Sequence, residues 1–179
     1  MLKITIPAGE QYDEVNNLFI TSKEQTLQLE HSLTSLSKWE SKWCKPFLTK
    51  DIKTFEESAD YIRCMTITQN VDPMVYRFVS QENIADVSAY IEAPMTATIF
   101  SKEKQTINRE VITAEIIYYW MVAMNIPFEC QKWHLNRLLT LINVCNIKNT
   151  PAKKRNSKET MSRNAALNAA RKQSLHTKG

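Results

Sequence analysis

The sequence has 179 residues, of which 43% are hydrophobic and 23% charged. This composition is sufficient for one hydrophobic core, and the length is too short for two ordinary domains. Four Trp, six Tyr and six Phe exclude a wholly disordered chain, and the net charge is only +4. Gly9 and Gly179 are the only glycines, which excludes the glycine-rich loops that cradle nucleotide phosphates. Even the most apolar stretch, Val111–Phe128, is interrupted by Glu115 and Asn125, so we expect no membrane-spanning helix.

Charge is distributed unevenly along the chain. From Pro151 onward there are eight Lys and Arg residues against Glu159 alone, a net charge of +7, whereas residues 1–150 carry a net charge of −3. This asymmetry suggests a basic tail that meets an acidic partner or nucleic acid, and a solvated appendage without a ligand is the alternative.

The cysteines and the N-terminus indicate the compartment. The first seven residues lack the apolar core of a signal peptide. Cys44, Cys64, Cys130 and Cys145 are widely spaced without a C-x-x-C pair, which favours free thiols in a reducing compartment. We therefore expect the chain to stay in the cytoplasm.

Alternating apolar residues near the N-terminus predict a small antiparallel sheet. Leu2–Ile6 and Leu27–Leu29 both show the period of two that is typical of half-buried strands. A third strand over Leu18–Thr21 would complete a meander, with a turn at Asp13–Asn17. The meander is expected to occupy residues 1–31.

Three amphipathic helices are predicted next. The first carries Trp39 and Trp43 on one face and ends before Pro46. The second begins at a capping box headed by Thr54, and the third is capped by Ser80. A loop or short hairpin is predicted over residues 93–108.

Two further helices, over residues 110–125 and 128–144, are expected to pack as an antiparallel pair and form the core. The first has almost no polar face, which predicts burial nearly all round, and Trp120→Ala should cost about 3–5 kcal/mol. The buried stripe of the second is predicted to comprise Leu135, Leu138, Leu139, Ile142 and Cys145.

The predicted fold class is therefore α+β and predominantly α-helical. Residues 1–150 are expected to form one compact domain, whose helical part covers about 32–148. Residues 151–179 are expected to form a basic linker and a tail helix rich in Ala, which would fold fully only on a partner.

Catalytic and metal sites find little support in the sequence. Cys130 and His134 could supply two zinc ligands from one helix face, but no second short-spaced pair would complete the set. His31 and His134 are the only histidines of the predicted domain, and no nucleophile-elbow glycines accompany them. We expect no enzymatic activity, no metal and no cofactor.

The predicted partner-binding residues are aromatic and basic. Trp39 and Trp43 suit a core or an interface, and Trp133 can form a cation–π pair with Arg137. The tail could bind nucleic acid through phosphate contacts, although it has no aromatic residues for stacking. The basic tail residues expected to meet a partner are Lys153, Lys154, Arg155, Lys158, Arg163, Arg171 and Lys172.

Six stretches carry the most distinctive sequence of the chain, and the longest contains the string IPFECQKWHLNRLL. They are residues 29–33, 37–43, 61–66, 94–98, 115–139 and 161–168. In these stretches the chain resembles a family of small proteins encoded by tailed bacteriophages, the tail assembly chaperones. The resemblance covers nearly the whole chain.

This resemblance implies a non-enzymatic assembly factor that binds the tape measure protein and promotes tail tube assembly in the host cytoplasm. It also implies that a longer, frameshifted form can exist. One alternative is a structural protein of the neck, head completion ring or tail that remains in the virion. A second alternative is a small nucleic-acid-binding protein that acts through its basic tail. Other tail proteins and a second copy of the chain are further expected partners.

Overall fold

The structure is a computed structural model that describes residues 1–14, 17–98, 100, 111–149 and 157–175. It confirms the predicted α+β, predominantly helical class. No helix in these ranges is both long enough and apolar enough to cross a membrane. The strands are β1 (Leu2–Ile6), β2 (Gly9–Asp13), β3 (Leu18–Ser22) and β4 (Gln25–Leu29). The α-helices are α1 (Leu33–Trp43), α2 (Phe55–Met65), α3 (Gln81–Glu92), α4 (Ala114–Ala123), α5 (Leu135–Asn149) and α6 (Ser157–Ser174).

The strands form two antiparallel pairs, which together we call the ribbon. β1 pairs antiparallel with β4, placing Leu2 opposite Leu29, and β2 pairs antiparallel with β3, placing Gly9 opposite Ser22. The register is the same in both pairs, so the second pair continues the first beyond a break at Pro7, which has no N–H to donate. The predicted meander is therefore wrong: β3 pairs with β2, a strand whose largely polar sequence gives no alternating signal.

The two halves of the ribbon differ in burial. The β1–β4 half places Ile4, Ile6 and Leu27 in the core, and it lies against α3. The β2–β3 half contacts the 3₁₀ helix over Pro73–Phe78 and leaves the ring of Phe19 exposed. Gly9 begins this half because a Cβ there would lie 2.4 Å from the ring of Phe78.

The three predicted central helices are confirmed, together with the caps predicted for the second and the third. Ser32 caps α1, and the capping boxes of Thr54 and Ser80 begin α2 and α3. In each box the Ncap hydroxyl accepts from the backbone N–H three residues on, which satisfies one of the otherwise unpaired N–H groups of the first turn. Of these helices α3 packs on β1, and α1 and α2 contribute Leu36 and Ile62 to the core that holds Ile4 and Leu27.

The predicted pairing of the two later helices is wrong. α4 packs mainly on α1, and its first N–H, that of Ala114, donates to the buried Glu40 carboxylate at 2.7 Å. Tyr119 and Val122 are exposed, and Trp120 is only partly buried. An apolar helix that packs on one side keeps an exposed apolar face, so Trp120→Ala should cost less than a fully buried Trp would.

The second of these helices begins later than predicted. Residues Phe128–Lys132 form a 3₁₀ helix, and α5 starts at Leu135, whose N–H donates to the carbonyl of His31 at 2.7 Å. Leu135, Leu138 and Ile142 are buried as predicted, whereas Leu139 and Cys145 are only partly buried.

The chain divides into two compact units, Met1–Asn146 and Ile147–Gly179. The core described above belongs to the first unit. The second contains α6, and every side chain described along this helix is exposed. The predicted loop or hairpin over 93–108 falls mostly outside the described residues.

The difference in burial between the two halves of the ribbon can be tested by replacing a leucine with alanine in each half. Leu29 is fully buried and Leu18 is 63% exposed. Leu29→Ala should therefore lower the free energy of unfolding by about 2–5 kcal/mol, and Leu18→Ala should change it by less than about 0.5 kcal/mol. Urea unfolding of both variants provides the measurement, and equal effects would contradict the placement of the core.

Candidate partner-binding site

The three tryptophans predicted to contact a partner lie in different environments. Trp39 is 1% exposed, and its Nε1 donates to the carbonyl of Glu57 at 2.9 Å. It is a core residue and is not available to a partner, which corrects its place among the predicted binding residues. The reason is that Trp39 faces Phe47 and Tyr61, with ring centroids 5.1 and 6.4 Å away.

Trp133 lies at the surface with Arg137. The Arg137 guanidinium carbon is 4.2 Å from the Trp133 ring centroid, which confirms the predicted cation–π contact. Trp133 is partly buried against the core and Arg137 is exposed. The pair therefore presents a flat, positively charged surface beside the start of α5.

Trp43 lies in a cleft between the β2–β3 half of the ribbon and the helices α1 and α2. The cleft has a volume of about 630 Å³. We call it the Trp43 cleft. Its aromatic lining comprises Tyr12, Trp43, Phe55 and Tyr76, and its charged lining comprises Asp13, Glu14, Lys42, Glu56, Asp60, Arg63 and Arg77.

Asp60 holds the floor of the Trp43 cleft together. Its carboxylate accepts from Trp43 Nε1 at 2.9 Å, from Lys42 Nζ at 2.7 Å and from Arg63 Nε at 2.8 Å. Burial raises the pKa of Asp60, but the hydrogen bonds from Lys42, Trp43 and Arg63 outweigh it, so the net pKa is lowered. Asp60 is therefore charged at neutral pH and fixes the orientation of the Trp43 ring.

The rim of the Trp43 cleft has a second ion pair and two unpaired acids. Arg77 Nη1 lies 3.0 Å from Asp13 Oδ2 and links the ribbon to the 3₁₀ helix over Pro73–Phe78. Glu14 and Glu56 are exposed and form no ion pair with the described part of the chain. The four acids of the lining outnumber its three cations by one, so the cleft has a small net negative charge, and its two acids without an ion pair lie at the rim.

The tail residues predicted to bind a partner are only partly described. Lys153, Lys154 and Arg155 lie outside the described residues, as do the side chains of Lys158 and Arg163. Arg171 and Lys172 are exposed in the last turn of α6, where positive charge is favourable to the helix dipole.

The sequence analysis missed a buried cluster around His31 and His134, whose ring centroids are 5.2 Å apart. His31 Nδ1 is hydrogen-bonded to the Tyr61 hydroxyl at 2.6 Å. His134 Nε2 donates to the carbonyl of Tyr90 at 3.1 Å, and its Nδ1 accepts from the backbone N–H of Asn136 at 3.3 Å. Both nitrogens of a neutral His134 ring are thus satisfied.

Burial keeps both histidines neutral. It lowers the pKa of His31 to about 3, assisted by repulsion from His134, and it also lowers the pKa of His134. The alternative of a zinc site at Cys130 and His134 loses its geometric basis, because Cys130 lies within a 3₁₀ helix and His134 lies just before α5, so the two do not share an α-helical face. Within the described residues no group of three or more His, Cys, Asp or Glu side chains is arranged to hold a metal.

Comparison of the chain with protein-family models, with curated proteins and with solved structures finds no match. The candidate site is therefore defined by its own geometry. The Trp43 cleft and the Trp133–Arg137 pair expose aromatic rings together with Arg, the residue types that are enriched at protein interfaces.

The histidine cluster predicts loss of stability at mildly acidic pH. His31 has a pKa of about 3 when folded and near 6.5 when unfolded, so the unfolded chain takes up a proton first as the pH falls below 6.5. The contribution of neutral His31 to the free energy of unfolding is complete above pH 6.5, and it is lost progressively as the pH falls to about 3. His31 alone should cost about 2 kcal/mol between pH 8 and pH 5.

Urea unfolding at pH 8, 6.5 and 5 measures this loss. His31→Gln is the matched variant, because its amide can still bond to the Tyr61 hydroxyl but does not titrate. We expect a smaller stability change between pH 8 and 5 in the variant, with His134 supplying the remainder. The same change in both proteins would show that His31 is not the titrating group.

Proposed function

We propose that this protein is a non-enzymatic assembly factor, a tail assembly chaperone of a tailed bacteriophage that binds the tape measure protein in the host cytoplasm. The observation that carries the proposal is the Trp43 cleft. Its aromatic side chains are already oriented before any partner arrives, since Asp60 fixes Trp43 and the Asp13–Arg77 pair fixes the ribbon. A surface ordered in advance loses less conformational entropy when it binds another protein.

The sequence resemblance supplies the biological setting. The stretch 115–139 contributes α4, the second 3₁₀ helix and the start of α5, and it includes the exposed Tyr119 and the Trp133–Arg137 pair. Exposed apolar and aromatic side chains on these elements suit a partner that offers a long helical surface. The tape measure protein is such a partner.

The basic segment before α6 is proposed to strengthen this binding. Replacing Lys153, Lys154 and Arg155 by Ala should weaken the complex with the tape measure protein by about tenfold at low salt, because three charge contacts are lost. Co-purification from cells producing both proteins, followed by titration at two salt concentrations, measures the effect.

The matched control replaces three exposed lysines of the body, Lys3, Lys23 and Lys50, by Ala. Both triple variants remove three positive charges, so a specific role of the tail predicts weaker binding only for the tail variant. Unchanged affinity of the tail variant at low salt would contradict the proposed role of this segment.

The second candidate function is a structural protein of the virion neck, head completion ring or tail. The observation that favours it is the β2–β3 half of the ribbon, whose exposed Tyr12 and Phe19 rings, 5.0 Å apart, form an arm suited to contact a neighbouring subunit. Mass spectrometry of purified particles and of the infected-cell lysate separates the two functions. A chaperone is abundant in the lysate and absent from particles, whereas a structural protein is present in particles at a fixed ratio.

A further inference from the structure

The side chains that line the Trp43 cleft include four acids and three cations. Lys42 and Arg63 share the single carboxylate of Asp60, and Arg77 is paired with Asp13, so each lining cation already has an acidic partner within the chain. Glu14 and Glu56 stand exposed on its rim without an ion pair among the described residues.

Aromatic rings accompany these two acids in the lining of the cleft. Tyr12 belongs to the ribbon and Phe55 to the first turn of α2, and both rings are partly exposed. A ligand that fits this surface combines apolar side chains, which cover the rings, with positive charges, which approach Glu14 and Glu56.

Helix α6 has this combination on one face. Leu167, Arg171 and Leu175 are spaced four residues apart, and the N–H of Leu175 donates to the carbonyl of Arg171 at 2.9 Å, so the helical path continues through this stripe. All three side chains are exposed, and Lys172 lies beside them. This face of α6 therefore presents two exposed leucines on either side of a basic residue.

The dimensions of the two elements are compatible. α6 has 18 residues, which corresponds to about 27 Å of helix. A cleft of about 630 Å³ holds a few side chains and not a whole helix. The helix would lie across the mouth of the cleft, with its leucines inserted between the aromatic rings and its basic residues at the acidic rim.

We propose that α6 of one chain docks in the Trp43 cleft of a second copy, so that two chains exchange their basic helices. Reciprocal exchange satisfies both clefts and both helices and closes a twofold dimer. This inference concerns self-association and does not rest on the proposed function, because it needs neither the tape measure protein nor any phage component. The two proposed occupants use the same cleft, so docking of α6 and binding of another protein there exclude one another.

Charge exchange between the two surfaces tests the proposal on the full-length protein. The cleft variant carries Glu14→Lys and Glu56→Lys, and the α6 variant carries Arg171→Glu and Lys172→Glu. Each should raise the dimer dissociation constant by about tenfold or more in sedimentation equilibrium at low salt. The quadruple variant should recover most of the affinity, because its charges are complementary again.

Mixing the two double variants identifies the docking mode. The α6 variant keeps an intact cleft, and the cleft variant keeps an intact α6. Their mixture can therefore form one native contact and should associate more strongly than either variant alone. Docking of α6 in the cleft of its own chain predicts a monomer in every sample, including the wild type. That result would overturn the proposal.

Two controls guard against nonspecific effects. Leu167→Ala keeps the charge and favours helix, yet it should also weaken the dimer because it removes the apolar contact. Glu129→Lys changes an exposed acid outside the cleft lining and should leave the dimer unchanged. Salt-sensitive association that ignores Leu167→Ala, or that responds equally to Glu129→Lys, would reduce the effect to general electrostatic attraction and overturn the docking model.

Discussion

The structure of the first unit depends on the hydrogen bonds of three consecutive residues, Glu30–Ser32, where the ribbon ends and α1 begins. The N–H of Glu30 donates to the carbonyl of Met65 at 2.9 Å, and the carbonyl of His31 accepts from Leu135 at 2.7 Å. Ser32 caps α1 with its side chain. One short segment thus joins β4 to α1, the end of α2 and the start of α5, and buried backbone groups of this kind are costly to leave unpaired.

The same junction explains why histidines are buried in the core. The ring of His31 lies between Tyr61 and the ring of His134, and His134 bonds to the backbone of α3 through Tyr90. Neutral imidazole can satisfy a donor and an acceptor at once, so it links elements that a purely apolar side chain could only contact. The cost of this arrangement is that the core excludes the imidazolium form.

The Trp43 cleft is a consequence of how the ribbon and the helices are held. Asp60 forms its floor and binds side chains from α1 and from α2. The β2–β3 half of the ribbon forms its wall. Because the ribbon continues past the core, its β2–β3 half lines one side of the cleft at Trp43, which a shorter sheet would not reach. Binding surface and scaffold therefore share the same ion pairs.

Local patterns in the sequence determined the elements whose causes lie within a few residues. The capping box at Thr54, the cap at Ser80, the alternation of Leu2–Ile6 and the spacing of Trp133 and Arg137 were all interpreted correctly, because each interaction spans at most four residues. The predominantly helical class followed from the same patterns. The uneven charge of body and tail was likewise present in the sequence alone.

Tertiary structure decided which surfaces meet. The partner of β3, the exposed face of α4, the burial of Trp39 and the approach of His31 to His134 all depend on contacts between residues far apart in the chain. An apolar side chain has the same local pattern whether it faces a core or solvent, so periodicity cannot assign its partner. The Trp43 cleft exists only because Asp60, the ribbon and α1 converge in space.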